Sequence, residues 1–402
     1  MLNIILLGLT SLLADFSSEM IQPLLPFFIA TLGGAGIAVG LVGGVGDALA
    51  AIFKVISGRW ADQSKKYKKF VYLGYGFSAV AKFFFPLAKA WAHIFVLRPV
   101  ERIGKGLRDA PRDAIVSEST TESSRKRGLG FGIQRAMDSL GAIVGSIFVY
   151  VLFVDLGFEF RTIFFFAAVI ALTALIPLVF VKEPRSLTER EPNRKKISFK
   201  NLSPQLKRFI AVATVFNLAN FNFMFFILKS SDVFKNLEGL SSYRFLRFFV
   251  TSFEPEKLAI GLPILLYIFF NIFDTFLSAP AGSLSDKIGR KPVVVIGYLV
   301  FSLCSLGFIF AGGLFSLLGL FALYGAFKAF TDASQKAFVS DLSLVENRAT
   351  SLGAFETSTG LALIPAGLIA GFLWNANPVF PFIYSFGLSL AAIVAFLVLV
   401  RK

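Results

Sequence analysis

The sequence contains few of the residue types that enzymes and secreted proteins depend on. Its 402 residues include one cysteine and one histidine, so neither an intramolecular disulfide nor a histidine-based metal centre is expected. Cys304 lies in an apolar run and His93 near a predicted helix start, where ordinary packing explains both. The nucleotide-binding pattern G-x-x-x-x-G-K-[ST] is absent, so ATP is not expected to drive the protein directly. We predict no enzyme activity, no catalytic residues, no cofactor and no metal.

Charged residues are also scarce. They make up 16% of the chain against 55% hydrophobic residues, among them 49 phenylalanines, and the mean hydropathy is +0.72. A surface of this composition suits a lipid bilayer, which a helix of roughly 20 apolar residues can span. The apolar stretch 2–13 has no basic residue before it and no cleavage site after it, so we expect it to stay in the membrane. The composition predicts an all-α, multi-pass membrane protein.

Apolar segments are long enough for twelve transmembrane helices. The first six are predicted at 3–30, 37–58, 70–90, 92–116, 128–153 and 160–182, and the second six at 208–230, 259–283, 291–312, 314–340, 350–373 and 379–400. A polar, basic segment at 183–207 separates the two sets and reads as a linker. The predicted organisation is therefore an N-terminal six-helix bundle at 1–182, a linker, and a C-terminal six-helix bundle at 208–402.

The net charge of +15 gives the orientation in the membrane. Lys and Arg are concentrated in the loop around 59–69, whereas the loops at 31–36 and 374–378 carry none. By the positive-inside rule, both termini and the linker are cytoplasmic, and the basic charge needs no nucleic-acid partner. We expect a monomer in the cell membrane, the inner membrane of a prokaryote, with the lipid bilayer as its surroundings.

One outer connection, at 231–258, is longer than the other external loops. Its Phe and Leu spacing fits a short amphipathic helix lying on the membrane surface. A long loop with one packed turn explains the same pattern equally well.

The two halves of the chain are internally repeated. "DAPRDAIVSE" from Asp109 aligns with "DASQKAFVSD" from Asp332, and "GRWAD" from Gly58 aligns with "GSLSD" from Gly282. Both matches, and a looser one at "RGLGFG", have an offset of 223 or 224 residues. A constant offset over separate motifs indicates a duplicated bundle, a common origin of transporter folds.

The best-formed motif is "GSLSDKIGRKP", which resembles the signature of the major facilitator superfamily. It matches at Gly282, Asp286, Arg290 and Lys291, and the first-half copy keeps Gly58 and Asp62. "LRPVERIGKG" and "GAIVGS" resemble two further elements of that superfamily, although Ser146 replaces the proline of the exporter motif. The chain is most similar to prokaryotic drug and metabolite exporters. The resemblance implies two six-helix bundles that rock around a central cavity lined by helices 1, 4, 7 and 10.

Charges inside predicted spans point to function, because each costs about 2.5 to 3.5 kcal/mol at the bilayer centre unless it is paired or hydrated. Asp15 and Glu19 are four residues apart on one helix face, a pattern suited to carrying a proton. The alternative is that Arg102 or Arg135 neutralises them permanently. Arg135 is also three residues from Asp138, which suggests a static ion pair.

These arguments give three groups of candidate residues. The predicted proton-coupling residues are Asp15, Glu19 and Asp138. The predicted substrate cavity comprises Glu101, Arg102, Lys105, Arg135, Asn217, Asn220, Lys328 and Asp332. The predicted cytoplasmic gate comprises Gly58, Asp62, Arg98, Arg112, Gly282, Asp286, Arg290 and Lys291.

The predicted function is secondary active transport of a small organic or amphipathic solute by alternating access, coupled to protons as efflux. The asparagines of helix 7 lie among phenylalanines and would orient an amphipathic ligand. The alternatives are symport or uptake of a solute or anion, drawn by the basic residues of helix 4, and translocation of lipid or lysolipid, for which the long outer loop is the argument.

Overall fold

The computed structural model describes residues 1–119, 124–184, 187, 202–235, 255–344 and 347–400. The helices of these residues are α1 (Leu2–Ile21), α2 (Leu25–Thr31), α3 (Gly36–Ser64), α4 (Tyr67–Phe84), α5 (Trp91–Glu118), α6 (Ser124–Tyr150), α7 (Phe160–Thr173), α8 (Leu175–Val179), α9 (Pro204–Ala219), α10 (Met224–Lys235), α11 (Pro255–Ile288), α12 (Arg290–Ile309), α13 (Leu314–Asp341), α14 (Arg348–Ala376) and α15 (Phe380–Leu399). No strand occurs in the residues described, so the all-α prediction is confirmed.

Eleven segments of the described chain are helical, long and apolar enough to cross a membrane. The remaining span is α5, whose charged residues lower its hydropathy. Its 28 residues extend about 42 Å at 1.5 Å per residue, which exceeds the roughly 30 Å of a hydrocarbon core. Together these give twelve crossings, with α1 and α2, α7 and α8, and α9 and α10 each forming one.

Two helices end later than the sequence predicts. The helices α3 and α11 were predicted to end at 58 and 283, but they continue to Ser64 and Ile288. Asp62 and Asp286, which were expected in loops, therefore lie on the last turns of helices. Hydropathy falls where a helix leaves the hydrocarbon, but backbone hydrogen bonding continues into the polar region, so composition places such an end too early.

The first crossing is interrupted where prolines predict a bend. The first helix ends at Ile21, and α2 begins at Leu25 with Pro26 at its start. Proline lacks a backbone N–H, so the segment around Pro23 and Pro26 cannot continue the hydrogen-bond ladder of α1.

The seventh crossing is interrupted at residues 220–223, between α9 and α10. The Asn222 side-chain oxygen accepts a hydrogen bond from the Met224 N–H at 3.1 Å and so caps α10. At the other side of the break, the Ala219 carbonyl accepts a hydrogen bond from the Ser385 hydroxyl at 2.8 Å. Side chains thus satisfy backbone groups that the break releases, as an interrupted membrane helix requires.

The chain divides into two compact units, Met1–Gly33 with Val45–Lys195, and Gly34–Gly44 with Lys196–Lys402. The first unit has a core that includes Leu7, Tyr75 and Leu178. The second has an aromatic core in which the rings of Phe216 and Tyr298 stack at 3.6 Å.

Two predicted connections fall largely outside the described residues. Of the linker, 185–186 and 188–201 are not described, and of the outer loop, 236–254 are not described. The amphipathic helix expected there stays a prediction. The described ends correct the loop's bounds, because 231–235 continue α10 and 255–258 begin α11.

Candidate functional site

The first unit contains two tight ion pairs on α5. The guanidinium of Arg98 donates to the Glu101 carboxylate at 2.7 Å, and that of Arg102 donates to the Asp47 carboxylate of α3 at 2.5 Å. Arg98 is 4% and Glu101 1% exposed. Buried pairs with such short hydrogen bonds are expected to persist, because separating them leaves an uncompensated charge.

Two looser pairs lie further along the same helix. Arg108 Nη2 is 3.9 Å from the Asp15 carboxylate of α1, and Arg112 Nη1 is 3.7 Å from the Asp138 carboxylate of α6. Both distances exceed that of a hydrogen bond. The residues in each pair therefore attract each other by charge without sharing a hydrogen.

The two arginines of the loose pairs both donate to hydroxyl groups, and Arg112 also donates from Nε and Nη2 to the carboxylate of its neighbour Asp113, at 3.3 and 3.2 Å. Arg108 Nη1 donates to Ser78 Oγ at 3.1 Å, and its guanidinium lies 4.3 Å from the centre of the Tyr75 ring. Arg112 Nη1 donates to Ser11 Oγ at 2.7 Å. Arg108 is thus held in place by neutral groups, independently of the acid that faces it, whereas Arg112 is held by Ser11 and by the adjacent Asp113.

The two predicted proton carriers of α1 have different partners. The Asp15 carboxylate accepts no hydrogen bond from the residues described and faces Arg108. Glu19 accepts a hydrogen bond from Gln22, whose side-chain oxygen in turn accepts from Arg98 at 3.4 Å. Although Asp15 and Glu19 share one helix face, their side chains belong to two separate clusters of polar residues.

The neutralising partners expected from sequence are wrong in the case of Arg102 and Asp138. Arg102 pairs with Asp47, so it is not the counter-ion of Asp15. Asp138 faces Arg112 and accepts a hydrogen bond from Gln134 at 3.0 Å. Arg135 is exposed on α6. Sequence spacing identifies neighbours on one helix, but these acids find their cations on other helices.

The predicted cavity residues have varied surroundings. Glu101 is buried and bonded to Arg98. Lys105 is partly buried. In the second unit, the Asn217 amide donates to the Ala213 carbonyl of its own helix at 2.9 Å, and Asn220 lies in the break of the seventh crossing. Lys328 lies 4.0 Å from Asp332, one turn further along α13.

The second-unit copy of the predicted gate motif forms an ion-pair bridge. Arg290 at the start of α12 contacts Asp286 of α11 at 2.6 Å and Asp341 at the end of α13 at 3.5 Å. Lys291 donates to the Val400 carbonyl at 2.6 Å. We call the residues Asp286, Arg290 and Asp341 the latch, because they join the ends of three helices. Gly282 lies on α11, one turn before Asp286.

The first-unit copy is different. There Asp62 accepts a hydrogen bond from the Tyr67 hydroxyl at 2.7 Å, joining the end of α3 to the start of α4. Gly58 lies opposite Ala110 of α5, where an added methyl group would come within 3.2 Å of the alanine side chain. The latch of the second unit is therefore not reproduced by the same residues here.

Arg98 lies apart from the other first-unit residues of the predicted gate. Arg98 precedes Arg112 by fourteen residues on the continuous helix α5, which separates them by about 21 Å along its axis. Gly58 packs near the Arg112 end, and Gln22 near the Arg98 end. Arg98 therefore lies at the end of α5 away from Asp62.

Sequence reasoning missed Lys82. It lies in the last turn of α4 and is 2% exposed, and its ammonium nitrogen donates to the hydroxyl oxygens of Ser17 and Ser18 at 2.9 Å each. The signal was present in "GFSAVAKFFFPLA", where a single lysine interrupts an apolar run. Such a charge has the same cost in the bilayer as those that were singled out.

The family model described as Major Facilitator Superfamily matches residues 7–253 and 244–402. An uncharacterised MFS-type transporter of Methanocaldococcus jannaschii is 44% identical over 401 residues, which cover 99% of this chain and 94% of that protein. Multidrug resistance protein 2 of Bacillus subtilis is 24% identical over 379 residues, covering 91% and 87%. The crystal structure of nucleoside transporter NupG superposes with a TM-score of 0.74 at 17% identity over 100% of both chains, a likeness of fold.

Proposed function

The chain belongs to the major facilitator superfamily, and we propose that within this family it exports a small organic or amphipathic solute in exchange for protons. The similarity to a multidrug resistance protein along most of both chains supports an organic solute. The arrangement of ion pairs in the first unit supports the coupling to protons.

The observation that carries the proposal is the contact between Asp15 and Arg108. Two unit charges about 4 Å apart attract each other by roughly 4 kcal/mol in a medium of dielectric constant about 20. No hydrogen bond adds to this attraction at 3.9 Å. When the carboxylate binds a proton, its O–H bond forms, the charge disappears, and nothing else in the pair holds α1 to α5.

The packing of α1 makes this loss consequential. Gly141 and Gly145 of α6 approach the backbone of α1 so closely that an added methyl group would lie 2.4 Å from the carbonyls of Leu12 and Phe16. This face of α1 is held by close packing, whereas its approach to α5 near Asp15 depends on the charge of Asp15 and on the hydrogen bond from Arg112 to Ser11 one turn earlier. Protonation of Asp15 therefore loosens α1 from α5 while α1 stays on α6.

Asp138 and Arg112 supply a second loose pair, although Arg112 also bonds Asp113 and Asp138 accepts a hydrogen bond from Gln134. Arg112 follows Arg108 by one helical turn, so both loose pairs lie along one face of α5. In our proposal, Asp15 and Asp138 bind and release the coupled protons. Glu19 is linked to Arg98 by the two hydrogen bonds of the Gln22 side chain. The hydrogen-bonded pairs of Arg98 and Arg102 stay closed throughout.

For the solute we propose a site at the break of the seventh crossing. Asn217 lies in the last turn of α9 and Asn220 is the first residue of the break. The ring centres of Phe223 and Tyr267 lie 5.2 Å apart. Amide groups beside aromatic rings suit a ligand with an apolar body and a polar end. Broken membrane helices also offer backbone groups to a ligand.

For the cytoplasmic gate we propose the latch, Lys291, and the first-unit residues Gly58, Asp62 and Arg112. The latch joins helix ends by partly exposed charges, which are weak enough to open within a transport cycle.

The proposal is tested with purified protein in liposomes under an imposed pH gradient. The first solutes would be ethidium, uridine and dialanine. Antiport predicts solute accumulation when the lumen is acidic, whereas symport predicts accumulation when the lumen is alkaline. Asp15→Asn and Asp138→Asn are expected to lose gradient-driven accumulation. The exposed Asp155 supplies a matched control, Asp155→Asn, that should keep it. Unchanged accumulation in Asp15→Asn, Glu19→Gln and Asp138→Asn would overturn the proton-carrier assignment.

A further inference from the structure

Lys82 is a buried amine that the proposed mechanism does not use. Its charged neighbours are Glu101, Arg98 and Arg108 on α5 and Asp15 on α1. With 2% exposure, the side chain is closed off from solvent and lipid. It crosses from the last turn of α4 to α1, where it meets two adjacent serines.

The two serines act toward Lys82 as acceptors. The Ser17 hydroxyl donates its own hydrogen to the Ala167 carbonyl of α7 at 2.6 Å, and the Ser18 hydroxyl donates to the Ala14 carbonyl at 2.9 Å. Each hydroxyl has one hydrogen, so both oxygens receive the Lys82 hydrogens. Two donated hydrogens are available from an amine as well as from an ammonium, so this arrangement suits both forms of Lys82.

Lys82 forms no ion pair with a carboxylate among the residues described. Within the described chain, no carboxylate oxygen lies within 4.0 Å of its nitrogen. The Glu101 carboxylate is bonded to Arg98, and the Asp15 carboxylate faces Arg108. A buried ammonium without an ion-pair partner is costly, although the carbonyls at the end of α4 favour it through the helix dipole.

The charges of this group connect Lys82 to Asp15. Among the groups nearest Lys82, three are positive (Lys82 and both arginines) and two negative (Glu101 and Asp15), which gives one net positive charge; Asp15 also faces Asp138 of α6 and Lys105 and Arg112 of α5. Protonation of Asp15 alone would raise this to two inside the protein. If Lys82 loses a proton as Asp15 gains one, the net charge stays at one, and burial penalises no additional charge.

We propose that Lys82 is the proton donor to Asp15 in the transport cycle, an inference that rests on the proposed proton coupling. The N–H bond of the ammonium breaks, the O–H bond of Asp15 forms, and both side chains become neutral. Ser18 follows Asp15 by three residues and so lies on the same face of α1. Asp15 then releases its proton to water on one side, and Lys82 takes one from water on the other when the alternating movement of the cycle opens a path to it.

A direct test follows the 15N resonance of the Lys82 amine in 15N-lysine-labelled, detergent-solubilised protein. Lys82→Met identifies the resonance, because the variant lacks that amine. Methionine is close to lysine in length and needs no counter-charge, so the variant is suited to the buried position. We expect the signal to change from ammonium to amine within the pH range in which a pH gradient drives solute accumulation, because a proton donor has to exchange its proton in that range. We expect Asp15→Asn to move its midpoint, whereas Lys89→Met at an exposed position leaves it in place. An ammonium resonance throughout that range overturns the proposal.

A second variant protects the test against misfolding of Lys82→Met. Ser17→Ala with Ser18→Ala keeps the lysine but removes both acceptors, so it should shift the same resonance. In liposomes, Lys82→Met should reduce gradient-driven accumulation at least tenfold. If wild-type protein accumulates solute and Lys82→Met does so equally, the inference about Lys82 fails while the proposed function stands. If no pH gradient drives any solute, the proposed function fails and the titration still decides whether Lys82 exchanges a proton.

Discussion

Arg108 faces Asp15 at 3.9 Å but donates its hydrogen bond to Ser78, whereas Arg98, three turns earlier on the same helix, is bonded directly to Glu101 at 2.7 Å. One helix thus holds both a pair built to persist and a pair that charge alone maintains. The first is expected to matter for stability and the second for transport.

Removing the charge of Glu101 should therefore destabilise the protein far more than removing that of Asp15. Breaking a buried ion pair by changing one partner costs about 3 to 5 kcal/mol. Thermal unfolding in detergent should show a clear loss for Glu101→Gln and a much smaller change for Asp15→Asn. Equal losses in the two variants would contradict the distinction between tight and loose pairs.

The start of α3 should not tolerate side chains at its close approach to α14. A methyl group added to Gly40 would lie 1.9 Å from the Gly367 carbonyl, too close for any rotamer to relieve. Gly40→Val is expected to give little folded protein on size-exclusion chromatography. Gly76→Ala is the control, because nothing lies within 4 Å of the added carbon. A normal elution profile for Gly40→Val would show that these helices separate easily.

Substitutions of Asn222 and Asn217 in the seventh crossing should have different effects, the first on stability and the second on solute binding. Asn222 caps α10, and loss of a helix cap costs about 0.5 to 2 kcal/mol, so Asn222→Ala should lower the unfolding temperature. Asn217 bonds only a carbonyl of its own helix among the contacts described for it, so Asn217→Ala should leave that temperature unchanged. If the solute site lies here, Asn217→Ala should raise KM in liposomes. An unchanged KM would remove Asn217 from the site.

The latch should affect transport more than stability. Arg290 is 27% exposed and its partners are 66% and 60% exposed, and such surface pairs contribute at most about 1 kcal/mol. Arg290→Gln should keep nearly the same unfolding temperature but change the rate of solute flux. Arg208→Gln, at the start of α9, is a control away from the latch. Identical flux in both variants and the wild type would leave the latch without a role in the gate.

The sequence predicted the features that depend on composition along the chain. Each membrane helix has to match the hydrocarbon core by its own composition, so hydropathy predicted the crossings even though α5 is charged. The prolines near residue 23 predict a bend, because a missing N–H is a local property, but not the full interruption that the structure has between α1 and α2. The break at residues 220–223 was not predicted, since it is stabilised by Ser385, a residue distant in sequence.

What the sequence alone determined was the class of protein: twelve membrane helices, a duplicated bundle, and the superfamily to which the chain belongs. Only the tertiary structure decided which charges pair. Helical periodicity places Arg135 beside Asp138, but the packing of α5 against α6 brings Arg112 to that carboxylate. In the same way, the packing of α4 beside α1 brings Lys82 to Ser17 and Ser18. The partner of a buried charge depends on how helices pack together, and residue spacing within one helix carries no information about that packing.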